Sequence, residues 1–194
     1  MFNDLSSPAA YLKSRRTAKA KDMVAPGPSP EMLQQMLTIA LRTPDHGKLA
    51  PWRFIIIDSE QRAAFAAMLH AAYRVDRPEP GKLEIEAIDR FAYQAPTLVV
   101  AIFSPADSRK IPLWEQQLSA GAATMNLMHA AHAHGYGACW LTGWAANDRA
   151  IASGLGLNPA ETIAGYIFIG TPGGVMEERP RPDYDTRVLH WDIK

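Results

Sequence analysis

The 194-residue chain has a single cysteine, Cys139, and no surplus charge: 20 Lys and Arg balance 20 Asp and Glu. One cysteine excludes an intramolecular disulfide framework and fits a reducing compartment. A nucleic-acid reader would carry a basic excess, so neutrality weighs against that class. No apolar run approaches the roughly 20 residues that a membrane-spanning helix needs. Met1–Tyr11 also lacks the basic stretch and apolar core of a secretory leader. The expectation is a soluble, cytoplasmic protein. Nucleotide signatures are missing as well: no glycine fingerprint opens a helix, and there is no P-loop or G-x-S-x-G elbow. Gly154-Leu155-Gly156 and Gly170–Gly174 match none of them.

With 47% hydrophobic and 21% charged residues, the chain reads as one globular domain over 1–194. Ser29 caps a helix that starts at Pro30 and stops before Pro44. Trp52–Asp58 reads as a strand, about 60–73 as a helix, and Arg77–Gly81 as an exposed loop. An amphipathic helix over 83–93 follows. Thr97–Phe103 is a nearly all-apolar strand, the pattern of a sheet covered on both faces. The longest helix spans 114–134 and is closed by Gly135. Its small-sided centre, Ser119–Ala123, suits close approach of another backbone. A strand over 137–141, a helix over 147–153 and a strand over 162–169 complete the series. Helices thus alternate with about four strands, an α+β arrangement with helices on both faces of one sheet. The tail after Gly173 is rich in Pro and Arg but ends in Val188-Leu189-His190-Trp191, so it is expected to pack against something.

Several segments could carry chemistry. Arg15-Arg16-Thr17-Ala18-Lys19 puts three cations and a hydroxyl within five residues, an anion cradle or a solvated basic turn. Arg42-Thr43-Pro44-Asp45-His46-Gly47 sits between a helix and a strand, where His46 either works on a proton or closes a turn. His129, His132 and His134 lie near a helix end, but with no carboxylate or thiolate at ligand spacing they read as a polar stripe, and no metal site is expected. Cys139 lies in an apolar strand with no base nearby and reads as inert.

Taken in order, these pieces resemble the nitroreductase family, in its short NAD(P)H nitroreductase subgroup, from about Tyr11 to Pro182. Arg15-Arg16-Thr17 is similar to the family's opening flavin motif. Arg42–His46 with Pro51-Trp52 is similar to its R-A-P-D-H…P-W segment. Trp114-Glu115-Gln116 with Ser119-Ala120-Gly121 resembles the start of the long central helix. Gly135–Trp140, Gly154–Leu157 and Gly170-Thr171-Pro172 follow in family order. The resemblance implies a nitroreductase-like fold, with a central mixed β-sheet between helical layers, in an interlocked homodimer. The tail from about 173 to 194 would pack on the partner subunit. It implies FMN as cofactor and NAD(P)H as electron donor, in a ping-pong transfer of hydride to nitroaromatic or quinone-like acceptors. A flavin-dependent dehydrogenase or enoyl-type reductase, or a non-catalytic flavin carrier, is the alternative.

By the same resemblance, Arg15, Arg16 and Thr17 bind the phosphate and ribityl side. Lys19 sits by flavin N1 and O2, where a cation stabilises the reduced ring. Arg42 and His46 reach the flavin from the partner. Trp140, Leu141 and Thr142 contact it from the same chain, and Arg181 or Arg179 meets the phosphate. No side chain is expected to act as a general acid. Lys48 and Ala50 stand where many relatives have Asn and Gln.

Overall fold

The computed structural model describes residues 2–192. Its elements run α1 (Pro8–Ser14), β1 (Met23–Val24), α2 (Pro30–Ala40), β2 (Trp52–Ile57), α3 (Arg62–Asp76), α4 (Lys82–Tyr93) and β3 (Thr97–Phe103). Then follow α5 (Leu113–Ala133), β4 (Gly137–Leu141), α6 (Trp144–Asn147), α7 (Arg149–Gly154), β5 (Thr162–Pro172) and α8 (Tyr184–Arg187). Several boundaries follow from single residues. The Ser29 hydroxyl accepts from Met32 N–H and so starts α2. α5 ends in a Schellman turn: Gly135 N–H donates to His132 C=O and Tyr136 N–H to Ala131 C=O, with Gly135 at φ +85.

Three elements depart from the sequence reading. The helix expected over 147–153 is α7, started by the Asp148 side chain accepting from Ile151 N–H, and a separate short helix not expected from the sequence, α6, precedes it. β1 is a two-residue strand, too short for a periodicity to show. α1 was not expected either, although Ser7 caps it and Pro8 opens it. Its seven residues bury only Tyr11, so no apolar stripe marks it in sequence.

The sheet has the path β1-β5-β3-β2, with β4 pairing the other way onto β5. Each pairing is antiparallel, a more uniform sheet than the mixed one expected. Connectivity accounts for this. Two helices, α3 and α4, join β2 to β3 and return the chain to the end it left; α6 and α7 do the same between β4 and β5. β3 and β4 run in the same direction, linked by the single helix α5, but β5 lies between them.

Along β3 the side chains alternate between two cores. Leu98, Val100 and Ile102 join Phe65, Leu69, Ile88, Ile151, Tyr166 and Phe168 on one face. Val99 and Ala101 join Met36, Leu127, Ala131, Ile167 and Ile169 on the other. Each large side chain so buried contributes roughly 1.5–3 kcal/mol. Helical layers on both faces, as expected, therefore fix α5 against β3, β4 and β5.

Two arginines are tied into this frame. Arg62 is buried and donates to the carbonyls of Ile57, Ala92 and Ala95, at 3.3, 2.7 and 3.4 Å. Arg53 grips the buried Glu161 carboxylate through Nε and one terminal nitrogen, at 2.7 and 2.8 Å. The Arg53 guanidinium and the Asn158 amide hold the Glu161 carboxyl down at about 2.

Beyond β5 the chain runs exposed. Val175, Leu189 and Trp191 are 89%, 81% and 85% accessible.

A candidate cofactor cleft

Residues 15–19 lie outside helix and strand, in the link between α1 and the turn before β1. Arg15 and Thr17 face one side, where they line an open cleft of about 360 Å³ with Met125, Met128, Trp140 and Thr142. Arg15 reaches Thr17 Oγ1 at 3.4 Å. Arg16 turns away: its Nε donates to Glu177 C=O at 2.7 Å and lies 3.8 Å from the Glu178 carboxylate. Arg181 meets the same Glu178 oxygen at 2.9 Å. A second, small cavity of about 50 Å³ lies here, lined by Arg16, Thr17, Lys19 and Asp22 among others. Thr17 therefore borders both spaces. The basic run is split, with Arg15 in the larger cleft and Arg16 and Lys19 beyond its wall.

Trp140 forms the cleft's flat side. Its indole N–H donates to Ala164 C=O at 3.0 Å, and the ring lies where a Cβ on residue 165 would stand. Gly165 is thus required by the site, a role its place in an apolar strand gave no hint of. Met125 and Met128 were likewise read only as helix. Leu141, the residue between Trp140 and Thr142, turns to the opposite face and packs in the core.

Arg42 and His46 do not line this cleft. Their loop is pinned to α5: Ser119 Oγ donates to Pro44 C=O at 2.5 Å, and Asn126 Nδ2 to Thr43 Oγ1 at 2.7 Å. His46 Nδ1 lies 3.1 Å from Glu115. At 100° per residue, positions 115, 119 and 126 lie about 80–120° round the helix from Met125 and about 140–180° from Met128. Asp45 stiffens the loop by accepting from the Leu49 and Ala50 amides, and Gly47 adopts φ +74.

The histidine stripe has a partner absent from its local sequence. The Tyr11 hydroxyl lies 2.7 Å from His129 Nδ1 and 2.9 Å from His132 Nδ1. Among the described residues no group of His, Cys, Asp or Glu is placed to hold a metal. Cys139 is buried, and burial raises its thiol above the usual range, in keeping with an inert role.

A further cavity of about 400 Å³ shares Thr142 with the cleft and extends between α4 and α6. Tyr73, Phe91 and Trp144 wall it; its lining includes one carboxylate, Glu84, and no cation.

The Nitroreductase family model matches residues 12–171. Proteins named "Putative NAD(P)H nitroreductase" are similar in sequence. YdjA of Escherichia coli K12 is 32% identical over 168 residues, covering 83% of this chain and 86% of that protein. The Haemophilus influenzae protein is 35% identical over 169 residues, covering 86% and 90%. Among solved structures, the nitroreductase-like family protein of Bacillus cereus superposes with a TM-score of 0.80 at 20% identity, over 97% and 98% of the two chains. The FMN and NADPH-dependent nitroreductase NfnB of sphigopyxis sp. strain HMH gives 0.74 at 18%, over 96% and 100%.

Proposed function

Because the chain belongs to the Nitroreductase family, we propose that it is an FMN-dependent NAD(P)H oxidoreductase. The observation that carries the cofactor reading is that Arg15, Thr17, Trp140 and Thr142, far apart in sequence, line one cleft. The residues fit the group. A guanidinium and a hydroxyl stand at one part of the cleft for phosphate and ribityl oxygens, and an indole and two thioethers give a flat apolar wall for a ring. Held by these residues, FMN would supply the redox chemistry of a ping-pong hydride transfer from NAD(P)H to a nitroaromatic or quinone-like acceptor.

The chain's own work is placement. Arg15 and Thr17 bind the phosphate and ribityl side, joined by Arg16 and Arg181 once Glu178 gives way to a stronger anion. Lys19 supplies positive charge toward the ring, and Trp140 and Thr142 orient it, with Leu141 as backbone support. The cavity beyond Thr142 takes the acceptor. Without a cation in its lining it suits an uncharged flat ring, stacked among Tyr73, Phe91 and Trp144.

The working unit is a homodimer in the cytoplasm. Trp114 and Leu118 are 61% and 63% exposed, and they sit on the same face of α5 as Met125 of the cleft. Such an apolar stripe calls for a covering surface, and the tail from about 173 with exposed Leu189 and Trp191 calls for a place to dock. A second copy provides both and brings its Arg42 and His46 to the flavin. Mixing an Arg15→Ala chain with a His46→Ala chain then regenerates sites that are intact. NADPH oxidation by a quinone should recover above either variant alone; no recovery would mean that each site is built from one chain.

A further inference from the structure

Tyr11 is the only buried residue of α1, and Arg15, the C-cap one turn later, lines the cleft. The phenol sits edge-on between two imidazoles, which lie one turn apart on α5. Met128, four residues before His132, is itself part of the cleft wall. We propose that Tyr11, His129 and His132 form an acid-released clamp, with Tyr11 the residue that positions Arg15 and Thr17 for the flavin. The proposal rests on the FMN reading above.

A phenol has one proton and two lone pairs, and a neutral imidazole has one donor and one acceptor nitrogen. Set between two Nδ1 atoms, Tyr11 donates to one and accepts from the other. The imidazole that accepts must have a bare Nδ1 and so be uncharged, while the other presents Nδ1–H to the phenolic oxygen. His132 is fully buried and its Nε2 has no partner, so it has no second bond to fall back on. The charged group that bears on all three is Arg15. Burial, followed by that cation, holds both imidazoles below the usual histidine range, His132 at about 4. Burial likewise pushes the Tyr11 hydroxyl up to about 12.

At neutral pH the trio is uncharged and closed. Protonating the accepting imidazole puts N–H on both Nδ1 atoms, leaves the phenolic proton facing two donors, and adds charge beside Arg15. α1 then loses its buried anchor, and the segment carrying Arg15 and Thr17 loosens.

The test has two readouts on wild type, Tyr11→Phe and His129→Asn. The first is hydrogen exchange over residues 8–17 in flavin-free protein, corrected for intrinsic rates, at pH 8 and pH 5.5. Wild type should be protected at pH 8 and lose protection at pH 5.5. Tyr11→Phe should be unprotected at both, and His129→Asn, which keeps a polar atom near the Nδ1 position but cannot charge, should lose less in acid. The second is the FMN dissociation constant. Tyr11→Phe should bind about tenfold more weakly at pH 8, the scale of one lost buried hydrogen bond. Wild type should weaken by a further factor of about ten between pH 8 and 5.5, over and above the change in Tyr11→Phe. The FMN phosphate titrates near 6 in both proteins and so cancels. Equal protection and equal affinity in wild type and Tyr11→Phe at pH 8 would overturn the clamp. Loss of α1 protection in acid without any FMN binding would uphold the clamp and overturn the flavin reading.

Discussion

Arg53 and Arg62 differ from Arg15 and Arg16 in how fully their guanidinium groups are used within the chain. Arg62 is enclosed and spends its donors on three carbonyls at the ends of β2 and α4. Arg53 makes a two-point contact with the buried Glu161. Arg15 faces an open cleft with one long bond to Thr17, and Arg16 rests on an exposed tail. Saturated arginines hold the frame together. Arginines with donors left over are the ones available to an anion from outside, and the basic composition of a segment does not distinguish the two.

Substitution should separate the pairs sharply. Arg53→Met leaves the buried Glu161 carboxylate unpaired and should cost ~3–4 kcal/mol in urea unfolding. Arg62→Met strands three carbonyls and should cost ~3 kcal/mol. Arg15→Ala should leave the urea midpoint nearly unchanged while weakening FMN binding by about tenfold to a hundredfold, the scale of a charge-assisted bond. Comparable stability losses at Arg15 and Arg62 would erase the distinction.

Acid should act on a second contrast, between the Arg53–Glu161 tie and the neutral Tyr11 trio. His132 has a folded value of about 4 against 6.5 when free. Between these values the unfolded chain takes up a proton that the native state refuses. Its contribution is complete above about 6.5 and declines as the pH falls toward 4, by on the order of 3 kcal/mol. His132→Asn should flatten thermal stability across that window. Glu161, held at about 2, stays ionised there and contributes its loss only from about 4.5 downward. A wild-type profile that is flat from pH 7 to 4.5 would contradict the buried neutral histidine.

The smallest effect belongs to the tail. Glu178 is exposed and lies on Arg16 and Arg181, so Glu178→Gln should leave the melting temperature in place. FMN affinity should rise by roughly twofold to threefold, as competition from a screened surface carboxylate is removed. Weaker FMN binding in that variant would show that Glu178 supports the site.

Local chemistry made much of the frame readable in advance. Thr97–Phe103 announced a strand with both faces covered, Ser29-Pro30 a helix start, and Gly135 a helix stop. The antiparallel order was not readable, because it depends on how many helices each connection contains, and one of those helices, α6, was not expected. Within the cleft, the motifs at 15–17 and 140–142 could be found by resemblance, but the direction each side chain takes could not. Arg16 and Lys19 line the smaller cavity rather than the cleft that Arg15 lines, and strand pleating sends Leu141 away from Trp140. Tyr11 was overlooked because its partners lie 118 and 121 residues away, and a lone tyrosine in a short helix carries no signal. The histidines at 129 and 132 read as a polar stripe in the sequence, and that stripe faces inward to a phenol rather than outward to water.

A flavin held by Arg15, Thr17, Trp140 and Thr142 should be reducible in place. The most direct measurement is the visible spectrum of the pure protein reconstituted with FMN, before and after NADPH or NADH is added without oxygen. Bound flavin bands should bleach on adding the donor and return when a quinone is supplied. Free FMN only, or bound flavin that keeps its colour with both donors, would contradict this reading.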